Sequence, residues 1–530
     1  MNNVAKKLAV ALLLSVPCMQ AVQTTGQSFY MGHSQTGTMN DVLGWNNQIN
    51  LFGNDEFSFV FKGQTEGGMS FSNSKLAPYF TSNGTKQMVF GPAHNATTYA
   101  STDVSGINFL LSDTFQSTVV FNPEITNWVT DFAAYLDLAN WCEGLHLRGH
   151  LPLQYLKHNL ELTETVAAAG GATYTNHYVS NGTPAVAYTS VAQAFQGDKL
   201  GGDALQVWNY GTINGSHHGT KVTDITASIG YNFVNNENGH FGLEVGGLFG
   251  AGGKSKAKHV FEPIFGTAGR MGIFGAVDGH AVLWTGENDE KQLQFFGNGK
   301  VGYVFANHQL RSYDYLNFGT WSRYLLVKKI TTVSTTGNSV YGGIDNSINI
   351  TTLHAKIGDY VNFDVSALFD MQYNNFNFQL GYNLGGQSAE KHKGFTDTIT
   401  ANTYIVYAPT LAADYITAAV GGNNAVSATG VTNVEGNFSI NGDITTTVPA
   451  VLELTTANEA TIAITNSWLD TNSALAKTII AHSVVGAVNY TWRDNEYVPC
   501  VGIYGKAEFD GKDHNTADLW AVGLQGNVSF

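Results

Sequence analysis

Residues 517–530 read ADLWAVGLQGNVSF, and this stretch decides the fold class. Counting back from the last residue, every second position is apolar or glycine: Phe530, Val528, Gly526, Leu524, Val522 and Trp520. The positions between them are small or polar, with Leu519 as the exception. A period of two residues is typical of a β-strand with one apolar and one polar face. The stretch is therefore predicted to be a two-faced strand.

The same alternation recurs in pairs along the chain. The strongest pairs are 224–233 with 241–249, and 359–372 with 376–384, each joined by a turn-rich stretch. Further candidates are 144–154, 292–305, 482–492 and 496–509, with weaker ones at 57–66, 104–111, 116–123, 129–141, 204–213, 273–284, 321–330 and 348–356. The pattern predicts an all-β antiparallel fold of roughly 16 strands, within about 14 to 18. The apolar parity shifts near Tyr155 and Leu156, which predicts a bulge or a bend there.

Composition excludes several functional classes. Charged residues make up only 13% of the chain, and the formal net charge is -15. Nucleic-acid binding needs a basic face, so it is not expected. Past the N-terminus there is no run of 18 apolar residues, so a membrane helix is not expected either.

Residues 1–21 have the features of a secretory signal peptide. Lys6 and Lys7 precede an apolar stretch, Leu8–Val16, that is too short to span a bilayer. Attachment of lipid at Cys18 is less favoured because of its neighbours Val16 and Pro17. The mature chain is then 22–530, which shows no convincing domain boundary and is predicted to be one exported domain. Cys142 and Cys500 remain in it, and the sequence leaves open whether they pair or stay as buried thiols.

The polar face of the strands indicates what they enclose. It is rich in Asn, Gln, Ser, Thr and Gly, whereas a strand facing bulk water usually carries many Lys and Glu. Such a face suits the wet interior of a membrane barrel, whose strands must close on themselves because hydrocarbon cannot satisfy a free edge. Most long polar segments fall at one predicted end and short turns at the other, as in bacterial barrels. The long segments are 70–103, 166–200, 250–271, 331–347 and 386–480. Aromatic residues lie at or near predicted strand ends: Trp284, Phe305, Trp492 and Trp520.

Together these features resemble a Gram-negative outer-membrane β-barrel of the porin type. The resemblance implies a transmembrane antiparallel up-and-down β-barrel with long extracellular loops, the largest at about 386–480. It also implies a location in the cell outer membrane, with outer-membrane lipid, lipopolysaccharide and the barrel-assembly machinery as partners. In such proteins the last strand carries the assembly signal, and here Trp520, Val528 and Phe530 match it loosely. A homotrimer is among the assemblies that the resemblance allows.

A pore is selective through the side chains that line it. The predicted lining residues are Asp224, Glu244, Asp278, Lys300, Asp364, Asp370, Lys506 and Glu508, together with Arg148. Their excess of acids predicts a weak preference for cations. The alternative is that these charges pair with each other and only stiffen the wall.

No enzymatic function is expected, because no catalytic motif lies in the structural context that it needs. No cofactor and no metal site are predicted. The adjacent residues His217 and His218 would point to opposite faces of a strand, and lumen filling accounts for His146 and His150 beside Arg148. Lys254, Lys256 and Lys258 are predicted to face solvent or lipid headgroups.

The sequence therefore predicts a channel for passive diffusion of ions and small hydrophilic solutes. The alternative is a structural or adhesive surface barrel that acts through its extracellular loops and has a plugged lumen. A membrane-embedded hydrolase and a soluble secreted β-protein fit parts of the pattern less well.

Overall fold

The structure is a computed structural model. It describes residues 25–33, 37–51, 57–91, 103–112, 114–171, 173–174, 185–198, 207–213, 215–286, 291–332, 340–400, 403–407, 463–495, 497–511 and 515–530. The predicted signal peptide, residues 1–21, and much of the predicted loop 386–480 lie outside the described residues.

Twelve strands of the described chain form a closed antiparallel barrel, which confirms the predicted fold class. Each pairs with its successor in the chain, and the last closes on the first, with Val60 opposite Ser529 and Phe71 opposite Asp518. In chain order the strands are β1 Ser58–Phe71, β2 Glu124–Asp137, β3 Leu145–Asn159, β4 Asp224–Asn236, β5 Gly239–Gly250, β6 Met271–Thr285, β7 Lys291–Val304, β8 Tyr360–Tyr373, β9 Phe376–Gln387, β10 Ile479–Thr491, β11 Cys500–Asp510 and β12 Asp518–Ser529.

The predicted number of about 16 strands is wrong, and the reason is physical. Several predicted strands lie in the long connections, where short strands bury one face on a core of their own. For example, residues 116–123 correspond to the strand Gln116–Phe121, and residues 321–330 to a 3-10 turn followed by Leu326–Thr332. Alternation alone cannot distinguish a face that meets lipid from one that meets a protein core.

The outer face of the barrel is apolar. Side chains on this face stay substantially exposed in the isolated chain although they are large and hydrophobic; examples are Ile229, Leu243, Ile273, Val301, Phe369, Leu380, Ile503, Val522 and Leu524. Exposed apolar surface on this scale is not stable in water but is stable in hydrocarbon. The barrel is thus built to be surrounded by lipid.

The connections orient the barrel. At one end the strands join through short turns: 138–144, 237–238, 286–290, 374–375 and 492–499. At the other end lie the connections 72–123, 160–223, 251–270, 305–359 and 388–478, with 511–517 as the one short member. Since bacterial barrels have short periplasmic turns and longer extracellular loops, the first end is periplasmic and the second extracellular.

No bulge lies at Tyr155 and Leu156, because β3 pairs with β2 in regular register up to Asn159. The apolar parity shifts there for another reason. Near its extracellular end the inward face of β3 packs against an apolar core, which includes Leu156. On its other side β3 pairs first with β4 and then with the strand Ser216–Val222.

The extracellular connections pack together into one layer, which we call the cap. Its apolar core is extensive and includes Phe80, Phe90, Phe109, Phe195, Trp321 and Tyr324. The cap strands are Gln87–Gly91, Val104–Ser105, Gln116–Phe121, Leu162–Ala168, Thr173–Tyr174, Ala185–Val186, Asn307–Ser312, Asp314–Tyr315, Leu326–Thr332, Val340–Asn346, Thr352–Ile357, His392–Phe395, Tyr404–Tyr407 and Leu469–Asp470. The helices and 3-10 turns of the described connections are short: Asn73–Lys75, Ala77–Phe80, Gly106–Phe109, Val191–Ala194, Ser322–Tyr324, Ser347–Thr351, Asn466–Trp468 and Thr471–Ala474. No helix of the described chain is long and apolar enough to cross a membrane.

Candidate functional site in the barrel lumen

Residues 37–51, which we call the lumen segment, occupy the inside of the barrel. They touch inward side chains on opposite parts of the wall, which only a chain within the lumen can do. Thr38 donates its backbone N–H to Asp364 on β8 (2.9 Å), and Asn50 donates to Asp278 on β6 (3.1 Å). Asn527 on β12 donates to the carbonyl of Gly44 (2.8 Å).

Residues 25–33, which precede the lumen segment, lie in the cap, and the lumen segment reaches the periplasmic end of the barrel. In the cap, the backbone N–H of Gln27 donates to the carbonyl of Tyr79 (2.8 Å), and the N–H of Ser28 donates to that of Ser473 (3.2 Å). At the other end, Gln48 Nε2 donates to the carbonyl of Val498 in a periplasmic turn (2.7 Å). These contacts place residues 25–33 in the cap and the far end of the lumen segment at the periplasmic end of the barrel.

The segment is compact because its backbone turns tightly. A 3-10 turn covers Thr38–Asp41, and Trp45 Nε1 donates to the carbonyl of Asp41 (2.9 Å). Gly44 has φ +81, and a Cβ there would lie 2.4 Å from the side chain of Gln525, so both the conformation and the space require glycine. Lys62 Nζ on β1 satisfies the carbonyls of Asn40 (2.9 Å) and Leu43 (2.7 Å).

Two apolar contacts hold the segment against the wall. Met39, Val42 and Leu43 pack in one buried cluster with Phe296 and Leu368. These two wall residues face each other across β7 and β8, on the otherwise polar inner face. In a second cluster Trp45, fully buried, and Ile49 pack with Val60, Ala133 and Tyr135. The wall is thus shaped to receive this segment.

The middle of the lumen holds a network of charges. Asp41 of the lumen segment lies 2.9 Å from His150 Nε2 and 3.3 Å from Lys300 Nζ. His150 Nδ1 in turn contacts Asp131 at 3.0 Å. All but Lys300 are nearly buried, and a buried carboxylate needs such partners to stay charged.

The structure brings six predicted lining residues into contact with the lumen segment, with residue 33 just before it, or with a neighbouring wall charge. Lys300 contacts Asp41, Asp364 contacts Thr38, Asp370 contacts Asn46, Asp278 contacts Asn50, Glu508 contacts His33, and Lys506 contacts Glu66. Glu244 lies within the wall beside Arg148 (3.2 Å). Asp224 lies near the cap and accepts from Thr267 (2.9 Å). The predicted cation preference remains a prediction.

Small cavities remain between the lumen segment and the wall. Three of them, of about 50, 100 and 20 Å³, share His33 in their lining. Each has room for one or a few water molecules, and the second is lined by Asp224, Lys300 and Asp364. The extracellular half of the lumen therefore offers polar, water-sized spaces.

The lumen segment itself was not predicted from the sequence. Residues 38–50, TMNDVLGWNNQIN, show neither strand alternation nor a long helical period. The available signal lies in the wall, where Phe296 and Leu368 fall on the polar face among Gln294, Asn298 and Ser366. An apolar pair inside a predicted wet lumen indicates that something packs against it.

The remaining predicted residues lie away from the lumen or at its rim. Trp520 and Phe530 are 40% and 59% exposed, and the ring of Phe530 contacts that of Tyr497 in a periplasmic turn. The assembly role of Trp520, Val528 and Phe530 stays a prediction. Cys142 is exposed and Cys500 is buried, and both are free thiols, so the pairing alternative is wrong and the burial expected for both thiols holds only for Cys500.

Comparisons with known proteins give only weak structural likeness. No protein-family model and no curated protein matched the chain. Among solved structures, an outer-membrane channel from Pseudomonas putida F1 aligns with a TM-score of 0.33 and 8% identity, over 90% of this chain and 98% of that one. The transport unit of the autotransporter AIDA-I from Escherichia coli aligns with a TM-score of 0.27 and 6% identity, over 93% and 97%. A Pseudomonas aeruginosa FadL homologue aligns with a TM-score of 0.23 and 6% identity, over 96% and 98%. Scores this low carry no argument about function.

Proposed function

We propose that this protein, an outer-membrane β-barrel of a Gram-negative bacterium, is a channel for small hydrophilic solutes that its own lumen segment closes. The observation that carries the proposal is the chemistry between segment and wall. Much of the contact is made by polar side chains that water can replace, inside a wall lined with charges and amides. A segment that served only as filling would be expected to use apolar contacts throughout.

The contacts of Asp370 illustrate this chemistry. Its carboxylate accepts from Asn46 (2.8 Å) and Asn47 (3.0 Å) of the lumen segment and from Asn377 of the wall (3.1 Å). Each such hydrogen bond to a carboxylate contributes about 1.5–3 kcal/mol net, and water that enters as the segment leaves can take the place of the amide donor. The apolar clusters around Leu43 and Trp45 then keep the segment in place at rest. Opening requires these two clusters to separate while residues 25–33 stay in the cap.

A reversible lock tests the proposal. Thr38 Oγ1 donates to Ser366 Oγ at 3.1 Å, so the paired substitutions Thr38→Cys and Ser366→Cys place two thiols within disulfide reach. Cys142→Ser removes the exposed native thiol, and buried Cys500 is left unchanged. The purified protein is measured in planar bilayers before and after reduction. We expect conductance only in the reduced form.

The matched controls are the Cys142→Ser protein with Thr38→Cys alone and with Ser366→Cys alone, whose conductance should not respond to reductant. If the reduced double variant and the unmodified protein both show no conductance above background, the channel proposal is wrong. If conductance is the same in the locked and reduced forms, the lumen segment is not the closing element.

The filled lumen and the cap favour a second candidate, a structural or adhesive surface barrel that acts through its loops. The cap has an extensive apolar core, so the loops form a folded layer. The test replaces residues 408–462 by a short Gly-Ser linker and measures aggregation of cells that display the protein. The adhesive function predicts loss of aggregation while the barrel keeps its heat-modifiable mobility on gels. Unchanged aggregation would exclude this segment as the adhesive element.

Both candidate functions imply the same surroundings for the barrel. Outer-membrane lipid and lipopolysaccharide contact the apolar outer face, and the assembly machinery reads β12. Neither candidate needs a cofactor or a catalytic step.

A further inference from the structure

The wall of the barrel brings together four polar side chains from four neighbouring strands, near the periplasmic end. The register sets them at two heights. At the first height Gly230 on β4 lies opposite both His146 on β3 and Glu244 on β5. At the second, Gly242 on β5 lies opposite both Asn232 on β4 and Asp278 on β6. Each glycine thus lies between two side chains that can meet across it.

The first pair has the geometry of two ligands. His146 Nε2 lies 3.3 Å from Glu244 Oε1, and a Cβ on Gly230 would lie 2.2 Å from the same nitrogen. The other ring nitrogen of His146, Nδ1, lies 3.4 Å from the carbonyl of Gly144 and donates to it. That hydrogen bond leaves Nε2 with its lone pair directed at a carboxylate. A lone pair facing a carboxylate is favourable only with a proton or a cation between them.

The second pair, Asn232 and Asp278, has two oxygen atoms that accept no hydrogen bond. Asp278 Oδ1 and Asn232 Oδ1 have no hydrogen-bond partner, although their residues are only 4% and 7% exposed. Both point at the space above Gly242, where a Cβ would lie 3.1 Å from the first and 2.4 Å from the second. A buried acceptor with no donor costs about 1–3 kcal/mol unless something positive or a water fills the space.

We propose that His146, Glu244 and Asp278, with Asn232 beside them, form a binding site for a divalent transition-metal ion, of which Zn²⁺ is the best fit. The ligand atoms of the first three lie within 4.8 Å of one another. One imidazole and two carboxylates are a usual Zn²⁺ ligand set. Ligands at about 2.0–2.2 Å in a tetrahedron are about 3.3–3.6 Å apart, which the first pair already matches.

The local charge suits a cation. Glu244 and Asp278 contribute two negative charges, and Arg148, 3.2 Å from Glu244, contributes one positive charge. The site therefore keeps a net negative charge before a metal binds. Asn50 of the lumen segment and His240 both contact Asp278, so the site lies directly against the lumen segment. The proposal does not depend on whether the barrel conducts.

This site could not be predicted from the sequence because its members are far apart in the chain. Their spacing matches no metal-binding motif. Only the register of the barrel strands brings them to one place.

Co²⁺ tests the site, since its visible spectrum reports tetrahedral ligation. The full-length protein, purified in detergent and stripped with a chelator, is titrated with Co²⁺ and then with Zn²⁺ as competitor. We expect one Co²⁺ per chain, an absorption band typical of tetrahedral Co²⁺, and its loss on addition of Zn²⁺. His146→Ala and Asp278→Asn should each weaken binding by about 100-fold or more, since losing even an outer partner of a ligand costs 10–100-fold.

The matched control is Asp370→Asn. Asp370 is also a buried lumen carboxylate, but three amides satisfy it, so Co²⁺ binding should not change. Heat-modifiable mobility verifies that each variant is folded. Absence of saturable Co²⁺ binding by the unmodified protein would refute the site. So would equal binding by the folded His146→Ala and Asp278→Asn variants.

Discussion

The cap depends on one buried carboxylate, and neutralising it should open the cap. Glu390 is fully buried between two arginines that are also buried. Its Oε1 accepts from Arg270 Nη2 (2.5 Å) and Arg311 Nη2 (3.3 Å), while its Oε2 accepts from the backbone N–H of Ala476 (2.8 Å). These contacts join three extracellular connections, 251–270, 305–359 and 388–478. Glu390→Gln keeps the size of the side chain and removes its charge.

The loss of cap stability in Glu390→Gln can be estimated from the contacts that are lost. A glutamine still accepts from Ala476 but leaves two buried guanidinium groups without a counter-charge. Hydrogen bonds to charged groups contribute about 1.5–3 kcal/mol each, and breaking a buried ion pair costs about 3–5 kcal/mol. We therefore expect Glu390→Gln to destabilise the cap by about 3–5 kcal/mol. That is a factor of roughly 150 to 5,000 in the population of the open cap.

The same carboxylate makes the cap sensitive to acid. Burial alone would raise the pKa of Glu390, but Arg311 and Arg270 outweigh it and hold the pKa below its ordinary value. A group whose folded pKa is lowered contributes its stabilisation in full above its unfolded pKa, about 4.3 for glutamate. That contribution is lost as the pH falls through the lower, folded pKa. The cap of the unmodified protein should therefore loosen at pH values below about 4.

Hydrogen exchange of the cap amides measures both effects. At neutral pH, the amide hydrogens of the strands Asn307–Ser312 and Thr352–Ile357 should exchange much faster in Glu390→Gln than in the unmodified protein. Its exchange, corrected for intrinsic rates, should then change little on acidification. The control is Glu161→Gln, an exposed cap carboxylate that contacts Asn122 and should have almost no effect. Equal protection in Glu390→Gln and the unmodified protein would refute the assigned role.

Two further predictions concern the lumen and the outer face. Trp45→Ala removes a fully buried side chain from the second apolar cluster and should reduce stability by about 3–5 kcal/mol. The total conductance in bilayers should then rise, because the channel opens more often; unchanged conductance would show that this cluster does not set the closed state. Val522→Arg places a charge on an outward residue that is 60% exposed, and it should reduce folding stability in lipid vesicles by about 2–4 kcal/mol. The control Val522→Ala should reduce stability far less, and equal stability of the two variants would contradict the lipid-facing assignment.

The parts of the fold set by local pattern could be predicted, and those set by long-range packing could not. The hairpin of β8 and β9 follows from alternation and a short turn, and the structure places both strands as expected. The strand Leu326–Thr332 overlaps one of the weaker predicted strands, 321–330, but lies in the cap. What distinguishes them is the material against which each apolar face packs, and that material is supplied by residues far away in the chain.

In the candidate site, too, local pattern predicts which residues face the lumen but not which residues they contact. That Asp364 and Asp370 face the lumen follows from their parity on β8. That they hold Thr38 and Asn46 does not follow from it, because those partners are more than 300 residues away. The metal site is a stronger example, since it exists only through the alignment of four strands.

Residues 25–33 in the cap and the lumen segment, residues 37–51, belong to neighbouring stretches of one chain, so the cap and the lumen are linked. Arg311, one of the arginines that binds Glu390, also lies over the ring of Phe29, just before the chain enters the barrel. From there the same chain passes Asp41 and Asn50 to reach the periplasmic turn at Val498. A movement of the cap at Phe29 should therefore be felt by the lumen segment, which follows it in the chain. Polar contacts that water can replace yield more readily than the buried apolar clusters around Leu43 and Trp45. Hence a force on the cap should first separate the lumen segment from Asp364 and Asp370, and only then release it.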